Sequence, residues 1–196
     1  MKGITTLLEQ SASWEEIQSV LVAQQSNLLI SGVSGSVKSL LVAALQSKQK
    51  SSLLYIAPSA SLAEQVWGDL QVLLPNETVL FFPARENPLY GIAASSPELI
   101  AERQKTLYAL GSGKRSLVVT SIDALLYHLP APSVFSSQGL ELSYGQRISL
   151  AELTRTLVQG GYERVQLVEH PGQFSQRGGI LDIYGPGHDW PLRLEF

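Results

Sequence analysis

The feature that most constrains the fold is an alternation of short apolar runs with segments of helical period over the first two thirds of the chain. Apolar runs that alternate with amphipathic helices are typical of βαβ units, whose strands form a parallel sheet. Beyond about residue 139 the pattern changes to strand, helix and further strands. We therefore predict an α/β fold, in which a parallel-sheet domain is followed by a small α+β domain.

Individual elements follow from apolar runs and from helix-capping patterns. Strands are predicted at residues 28–30, 53–56, 79–82 and 117–119 of the first domain, and at 140–142, 179–184 and 192–196 of the second. A hydroxyl residue with an acid three residues later satisfies free N–H groups at a helix start. This pattern predicts helices that begin at Ser13 (ending near residue 24), Ser61 and Ser149. Ser96-Pro97 predicts another, and a further helix through Leu126 is predicted after the strand at 117–119. The second of these helices carries Leu62, Val66, Leu70 and Leu73 on one side.

A change of composition marks the domain boundary. The stretch PAPSVFSSQG is rich in proline and serine and predicts a linker. We predict a first domain at 1–130, a linker at 131–139 and a small domain at 140–196. The chain stops inside an alternating strand, so we expect the small domain to be truncated at its C-terminal end.

Composition also excludes several classes of protein. The 196 residues include no cysteine, which rules out disulfides and thiolate zinc sites and suits a reducing cytoplasm. No apolar run approaches the roughly 20 residues that span a membrane. The net charge is −3, from 14 basic and 17 acidic residues, and no basic run has the form expected of a duplex-DNA binder.

Candidate catalytic and metal-binding chemistry is sparse. His128, His170 and His188 lie in different predicted elements, without the i, i+4 spacing of a helical metal site. No serine lies in a G-x-S-x-G setting. We therefore expect no metal site and no catalytic residue.

A loop after the first predicted strand has most of a phosphate-binding motif. Such loops follow the pattern G-x-x-x-x-G-K-[ST], in which backbone N–H groups and the lysine hold phosphate and the hydroxyl holds magnesium. The segment here runs from Gly32 through Gly35 to Lys38 and Ser39, with Val37 at the position that requires glycine. A β-branched residue is unfavourable where the backbone needs a positive φ, and its side chain would lie where phosphate approaches.

We therefore predict a P-loop-like but degenerate domain without a bound cofactor. ATP hydrolysis also needs an acid at the end of another strand, and none of the aspartates lies in such a setting. Weak anion binding at Lys38 is the alternative that the sequence leaves open.

Two segments near the end of the chain resemble a known family. Residues 177–183 (RGGILDI) and 193–196 (RLEF) are similar to the N-terminal module of the bacterial transcription-repair coupling factors, the Mfd family, which resembles UvrB in turn. The degenerate loop and residues 82–86, 96–98 and 101–103 fit the same family, so the resemblance covers nearly the full chain.

Two differences separate the chain from UvrB itself. UvrB is expected to have an intact phosphate loop, and it carries a long aromatic hairpin that clasps DNA where this chain has residues 87–96. The connection at 88–95 has one aromatic residue and no positive charge. It offers neither a stacking platform nor phosphate contacts.

The resemblance implies that the small domain binds UvrA, with the family's contact arginines at Arg177 and Arg193. Alternation along the last strand places Leu192, Leu194 and Phe196 on one face and Arg193 on the other. From the residues alone, the alternative is that these arginines pair with acids of the same domain. The motif match favours the UvrA contact.

Three functional hypotheses follow. The favoured one is a non-catalytic, cytoplasmic fragment that recruits UvrA for transcription-coupled nucleotide excision repair. The family implies that ATP, magnesium, RNA polymerase and DNA are bound by the rest of the parent protein, an ATP-dependent DNA translocase. The second hypothesis is a UvrB-type P-loop ATPase or helicase fragment that binds ATP and damaged DNA, and the third is a DNA-binding module.

Overall fold

The computed structural model describes residues 10–22, 27–85, 96–133 and 139–196. The chain divides into two compact units, Met1–Phe81 with Arg115–Leu125 and Phe82–Lys114 with Leu126–Phe196. The predicted domain limits of 1–130, 131–139 and 140–196 differ from this division, because residues 82–114 go with the second unit. Those domain limits stay a prediction.

A three-stranded sheet organises the first unit. Its elements are α1 (Ala12–Val22), α2 (Val37–Lys48), β1 (Leu53–Ala57), α3 (Ala60–Leu73), β2 (Val79–Phe82), β3 (Leu117–Ser121) and a 3-10 turn (Ile122–Leu125) where the sequence predicts a helix. The strand order is β1-β3-β2, so the last strand in the sequence is the middle one. β1 and β3 run parallel, from Leu53↔Leu117 to Ala57↔Ser121.

The core of the first unit lies between this sheet and its helices. All five residues of β3 are buried, as is typical of a central parallel strand. Leu70 of α3 is fully buried and belongs to one cluster with Leu117 and Val119 of β3 and with Val42 and Ala43 of α2. The predicted strands at 53–56, 79–82 and 117–119 are confirmed.

Arg115 connects the start of β3 to the end of α2. Its guanidinium donates to the main-chain oxygens of Gln46 and Gln49, the latter at 2.9 Å, and to the carboxylate of Glu77. The last carbonyls of a helix have no partner within the helix, so a cation there satisfies them and interacts favourably with the helix dipole. Arg115 thereby fixes the chain where it returns to the sheet.

The predicted strand at residues 28–30 is wrong. Leu28, Leu29 and Ile30 form no strand and are 41%, 93% and 37% exposed. A strand needs the hydrogen-bonding ladder of a neighbour. Among the described strands β1 neighbours β3 alone, so this apolar run has no such ladder.

Two predicted helix starts lie two residues too late. In α1, Ser11 rather than Ser13 accepts the N–H three residues on, at 3.3 Å. In α3, Ser59 rather than Ser61 does so, at 3.4 Å. The second serine of each segment is inside the helix. The predicted end of the first helix, near residue 24, lies outside the described residues.

The second unit contains two helices and a four-stranded sheet. Its elements are α4 (Pro97–Gly111), α5 (Leu150–Gln159), β4 (Glu163–Arg164), β5 (Gln173–Arg177), β6 (Ile180–Tyr184) and β7 (Leu192–Glu195). The strand order is β4-β5-β6-β7; β4 and β5 are parallel, and the other pairs are antiparallel. The predictions of α4, α5, β6 and β7 are confirmed, whereas β4 and β5 were not predicted.

One side of α5 forms the core of this sheet. The Ser149 hydroxyl caps α5 as predicted, accepting the Glu152 N–H at 3.1 Å. The buried cluster consists of Leu153, Leu157, Phe174, Leu181 and Ile183. The predicted strand at 140–142 is wrong, because that segment packs on this cluster through Leu142 without joining a ladder.

Together the two units confirm the predicted fold class, a parallel-sheet α/β arrangement with a small mixed sheet. Within the described ranges, no helix has both the length and the apolarity needed to cross a bilayer.

Candidate functional site

One face of the four-stranded sheet lies opposite α5. Side chains alternate between faces along a strand, and the core residues of β5, β6 and β7 point to α5. The intervening residues on the other side include two rows that cross three strands: Ser175, Asp182 and Arg193, and Arg177, Ile180 and Glu195. We call this surface the arginine face. Both predicted site residues, Arg177 and Arg193, therefore lie on one face, on either side of β6.

Arg193 is held by a two-pronged contact with Asp182. Its Nε donates to Oδ1 at 2.7 Å and its Nη2 to Oδ2 at 2.9 Å. The Arg193 side chain is 61% exposed and that of Asp182 only 19%. Arg193 therefore forms an ion pair with an acid of its own domain, which the sequence analysis gave as the alternative to a UvrA contact.

This contact shifts both ionisation equilibria toward the charged forms. The hydrogen bond from Arg193 is the largest cause that lowers the pKa of Asp182, and the charges of Arg193 and Arg177 act in the same direction against burial. The same hydrogen bond raises the pKa of Arg193. Because the folded pKa of Asp182 is lowered, any stability from the pair is present above the ordinary carboxyl pKa and is lost as pH falls through the lowered value.

Arg177 has a different environment. Its Nη2 donates to the main-chain oxygen of Gln166 at 2.6 Å, and the Ser175 hydroxyl donates to the same oxygen at 2.9 Å. Arg177 is exposed, and it forms no ion pair with an acid in the described part of the chain. The two arginines are therefore not equivalent.

The loop that supplies Gln166 is fixed at its far end. The Gln173 side-chain oxygen accepts the N–H groups of Glu169 and His170, both at 3.0 Å. His170 Nδ1 lies 2.8 Å from Glu98 Oε1, in the first turn of α4. Hydrogen bonds from Ser96 and His170 contribute to a lowered pKa of Glu98. These contacts fix the loop against which Arg177 rests.

A two-glycine turn sets the register of the arginine face. Gly178 and Gly179 join Arg177 to its cross-strand partner Ile180, and Gly178 has a φ of +61°. A Cβ atom on Gly179 would lie 3.3 Å from the main-chain oxygen of Phe196, next to the strand end. A short hairpin with glycine at such positions fixes which residues face each other.

Sequence reasoning missed Asp182, Ser175 and Gln166 as parts of this surface. Alternation within RGGILDI could have placed Asp182 on the same face as Arg177, since the two strands join at a tight turn. Gln166 contributes a main-chain oxygen, which no side-chain pattern reveals.

In the phosphate-loop segment, backbone N–H groups donate hydrogen bonds to carbonyl oxygens of the same segment. Positive φ values occur at Gly32 (+78°) and Gly35 (+54°). The N–H groups of Val37 and Lys38 donate to the carbonyls of Ser34 and Gly35, both at 3.3 Å. Val37 is the first residue of α2 and 44% exposed, so the predicted strain from a positive φ at Val37 is wrong.

The Ser39 hydroxyl, which would hold magnesium in an intact phosphate loop, already forms a hydrogen bond within the first unit. Ser39 is 1% exposed, and its Oγ donates to Asp69 Oδ2 of α3 at 2.8 Å. Lys38 is exposed and pairs with no described acid. Over the described ranges, no three histidine, aspartate or glutamate side chains are grouped as a metal site requires. The connection at 88–95 lies outside the described residues.

Comparison with known proteins gives a consistent picture. Residues 140–196 match the family model of the UvrB interaction domain. The chain is 34% identical over 195 residues to a transcription-repair-coupling factor of Bacillus subtilis (strain 168). The alignment covers 100% of this chain and 17% of that relative. Identity is 30% to those of Staphylococcus aureus strains bovine RF122 / ET3-1 and USA300, of which 16% is covered. The chain thus spans about a sixth of the length of these relatives.

Proposed function

We propose that this chain recruits UvrA in transcription-coupled nucleotide excision repair, because residues 140–196 match the family model of the UvrB interaction domain and the whole chain is similar to transcription-repair-coupling factors. The observation that carries this proposal is the arginine face, which lies within the residues that match the family model. Its two arginines are exposed and lie on either side of β6, in neighbouring cross-strand rows.

Arginine suits such a role physically. Its planar guanidinium offers five N–H donors and is weakly hydrated, so it is enriched where protein interfaces exclude water. Arg177 and Arg193 are held by a carbonyl and a carboxylate of their own chain, which reduces the side-chain entropy lost on binding. Ile180, the cross-strand neighbour of Arg177 on β6, is 36% exposed.

The proposal predicts that Arg177→Ala and Arg193→Ala each weaken binding of UvrA to the chain by about tenfold, ~1.4 kcal/mol. The measurement is the affinity of purified UvrA for each variant by biolayer interferometry, with circular dichroism to verify folding. Arg155→Ala is the matched control, because Arg155 is exposed on α5, which packs on the opposite face of the sheet. If both site variants bind as tightly as the unchanged chain, the site assignment is wrong.

We also propose that this chain turns over no nucleotide, and that ATP, magnesium, RNA polymerase and DNA are bound by other parts of the parent translocase in the cytoplasm. Two features of the first unit support the absence of nucleotide turnover. The loop N–H groups of Val37 and Lys38 already have acceptors, and Ser39 is buried against Asp69. A nucleotide would have to displace these bonds before its phosphates and metal could be held.

Titration with ATP and magnesium in a calorimeter tests this part. We expect no saturable binding tighter than about 1 mM, which corresponds to roughly −4 kcal/mol. Dissociation in the micromolar range would instead favour the ATPase hypothesis. The chain with Lys38→Ala serves as the control, because binding at the loop would be lost in that variant.

A further inference from the structure

The arginine face carries no net charge from its four ionised residues. Arg177 and Arg193 are balanced by Asp182 and Glu195. A partner with a net charge of either sign would therefore gain little from long-range electrostatic attraction to this face. Recognition then depends on which of these charges is already neutralised within the chain.

The charge of Arg193 is neutralised. Its Nε and Nη2 occupy both oxygens of Asp182 in a fork-to-fork contact. Its Nη1 N–H groups take no part in this contact. Arg193 therefore presents donors to a partner from a pair that carries no net charge.

Among the residues that the structure describes, no acid neutralises the charge of Arg177 in this way. Its hydrogen bond goes to the neutral carbonyl of Gln166. Glu195 belongs to the same cross-strand row, but Ile180 of β6 lies between the two. Asp182 feels the charge of Arg177 only as a minor effect beside its contact with Arg193.

Resting on the proposed function, we infer that UvrA presents a carboxylate to Arg177, and that Asp182 is a positioning residue that holds Arg193 for neutral acceptors of the partner. Glu195 fixes the orientation, because it would repel a carboxylate placed on the β7 side of the face. The partner's acid accordingly docks on the β5 side, over Arg177.

The salt dependence of UvrA binding tests the first half. A contact between opposite charges weakens as ionic strength rises, whereas a contact with a neutral pair changes little. We expect Arg177→Gln to flatten the decrease of affinity with salt between about 50 and 500 mM. Arg177→Lys should retain that decrease, since it keeps the charge. The double variant Asp182→Asn with Arg193→Gln, which removes the pair without changing the net charge, and the control Arg155→Gln should also retain it. An unchanged salt dependence in Arg177→Gln would overturn the assignment of a carboxylate partner.

A double-mutant cycle tests the second half. Asp182→Asn and Arg193→Gln should each weaken UvrA binding by about threefold to tenfold, and the double variant should bind no more weakly than Arg193→Gln alone. Asp182→Glu should restore part of the loss, because it keeps the carboxylate. Tighter binding by Asp182→Asn would mean that Asp182 competes with a partner carboxylate for Arg193, and would overturn the positioning role.

The same experiment separates this inference from the function on which it rests. If the unchanged chain does not bind UvrA at all, both are wrong. If it binds and only the salt dependence or the cycle fails, recruitment of UvrA stands and the assigned chemistry of the arginine face falls.

Discussion

Phe174→Ala is expected to lower the free energy of unfolding by about 3–5 kcal/mol, the range for loss of a large buried aromatic side chain. Phe174 is fully buried on β5, in the cluster that holds α5 against the sheet. The residues 140–196 that carry this cluster form a small module, and small modules have little stability in reserve. Urea unfolding followed by circular dichroism measures the loss, and hydrogen exchange of peptides from β5 and β6 locates it.

The control for this substitution is Phe196→Ala. Phe196 is 53% exposed, so its removal leaves no buried cavity and should cost less than about 1 kcal/mol. Because Arg177 lies on the same strand as Phe174, Phe174→Ala should also weaken UvrA binding. Equal stability losses in the two variants would contradict the described core.

Leu70→Ala has the second large expected effect, a loss of about 2–5 kcal/mol. Leu70 is fully buried in α3 and lies in the same cluster as Leu117 and Val119 of the central strand. The substitution removes apolar contacts and leaves a cavity that the closely packed neighbours fill only in part. The same denaturation experiment applies, with hydrogen exchange now expected to rise in peptides from α3 and β3.

Leu62→Ala is the matched control on the same helix. The sequence pattern places Leu62 on one side with Leu70, yet Leu62 is 43% exposed at the first turn of α3. The expected loss is below about 1 kcal/mol. A loss as large as that of Leu70→Ala would show that α3 buries a different side.

Helix and strand positions were largely predictable where apolar runs are long or lie beside strong turn residues. The exact helix starts were not, because Ser11 and Ser13, and likewise Ser59 and Ser61, offer alternative caps only two residues apart. Which serine is used depends on where tertiary packing begins the helix, and a local pattern does not contain that information.

Parts of the arginine face were predictable for a related reason. Alternation along β7 places Arg193 on the face of the sheet away from Leu192 and Leu194. The strand β5 was not predicted, because QFSQR has a single apolar residue, Phe174, among polar ones. At residues 28–30 the opposite error occurs, because an apolar run predicts a strand where the structure has none. Pairing between distant segments decides both cases, and no single segment specifies it.

The strand order β1-β3-β2 has a consequence for synthesis. During translation, β1 and β2 emerge first and have no hydrogen-bonding ladder between them. The strand that pairs with both arrives only with residues 117–121, just after Arg115. Unpaired strands are the segments most exposed to misassembly on a growing chain. Until residues 115–125 have left the ribosomal exit tunnel, β1 and β2 lack the strand that pairs with both, and the sheet of the first unit cannot be completed.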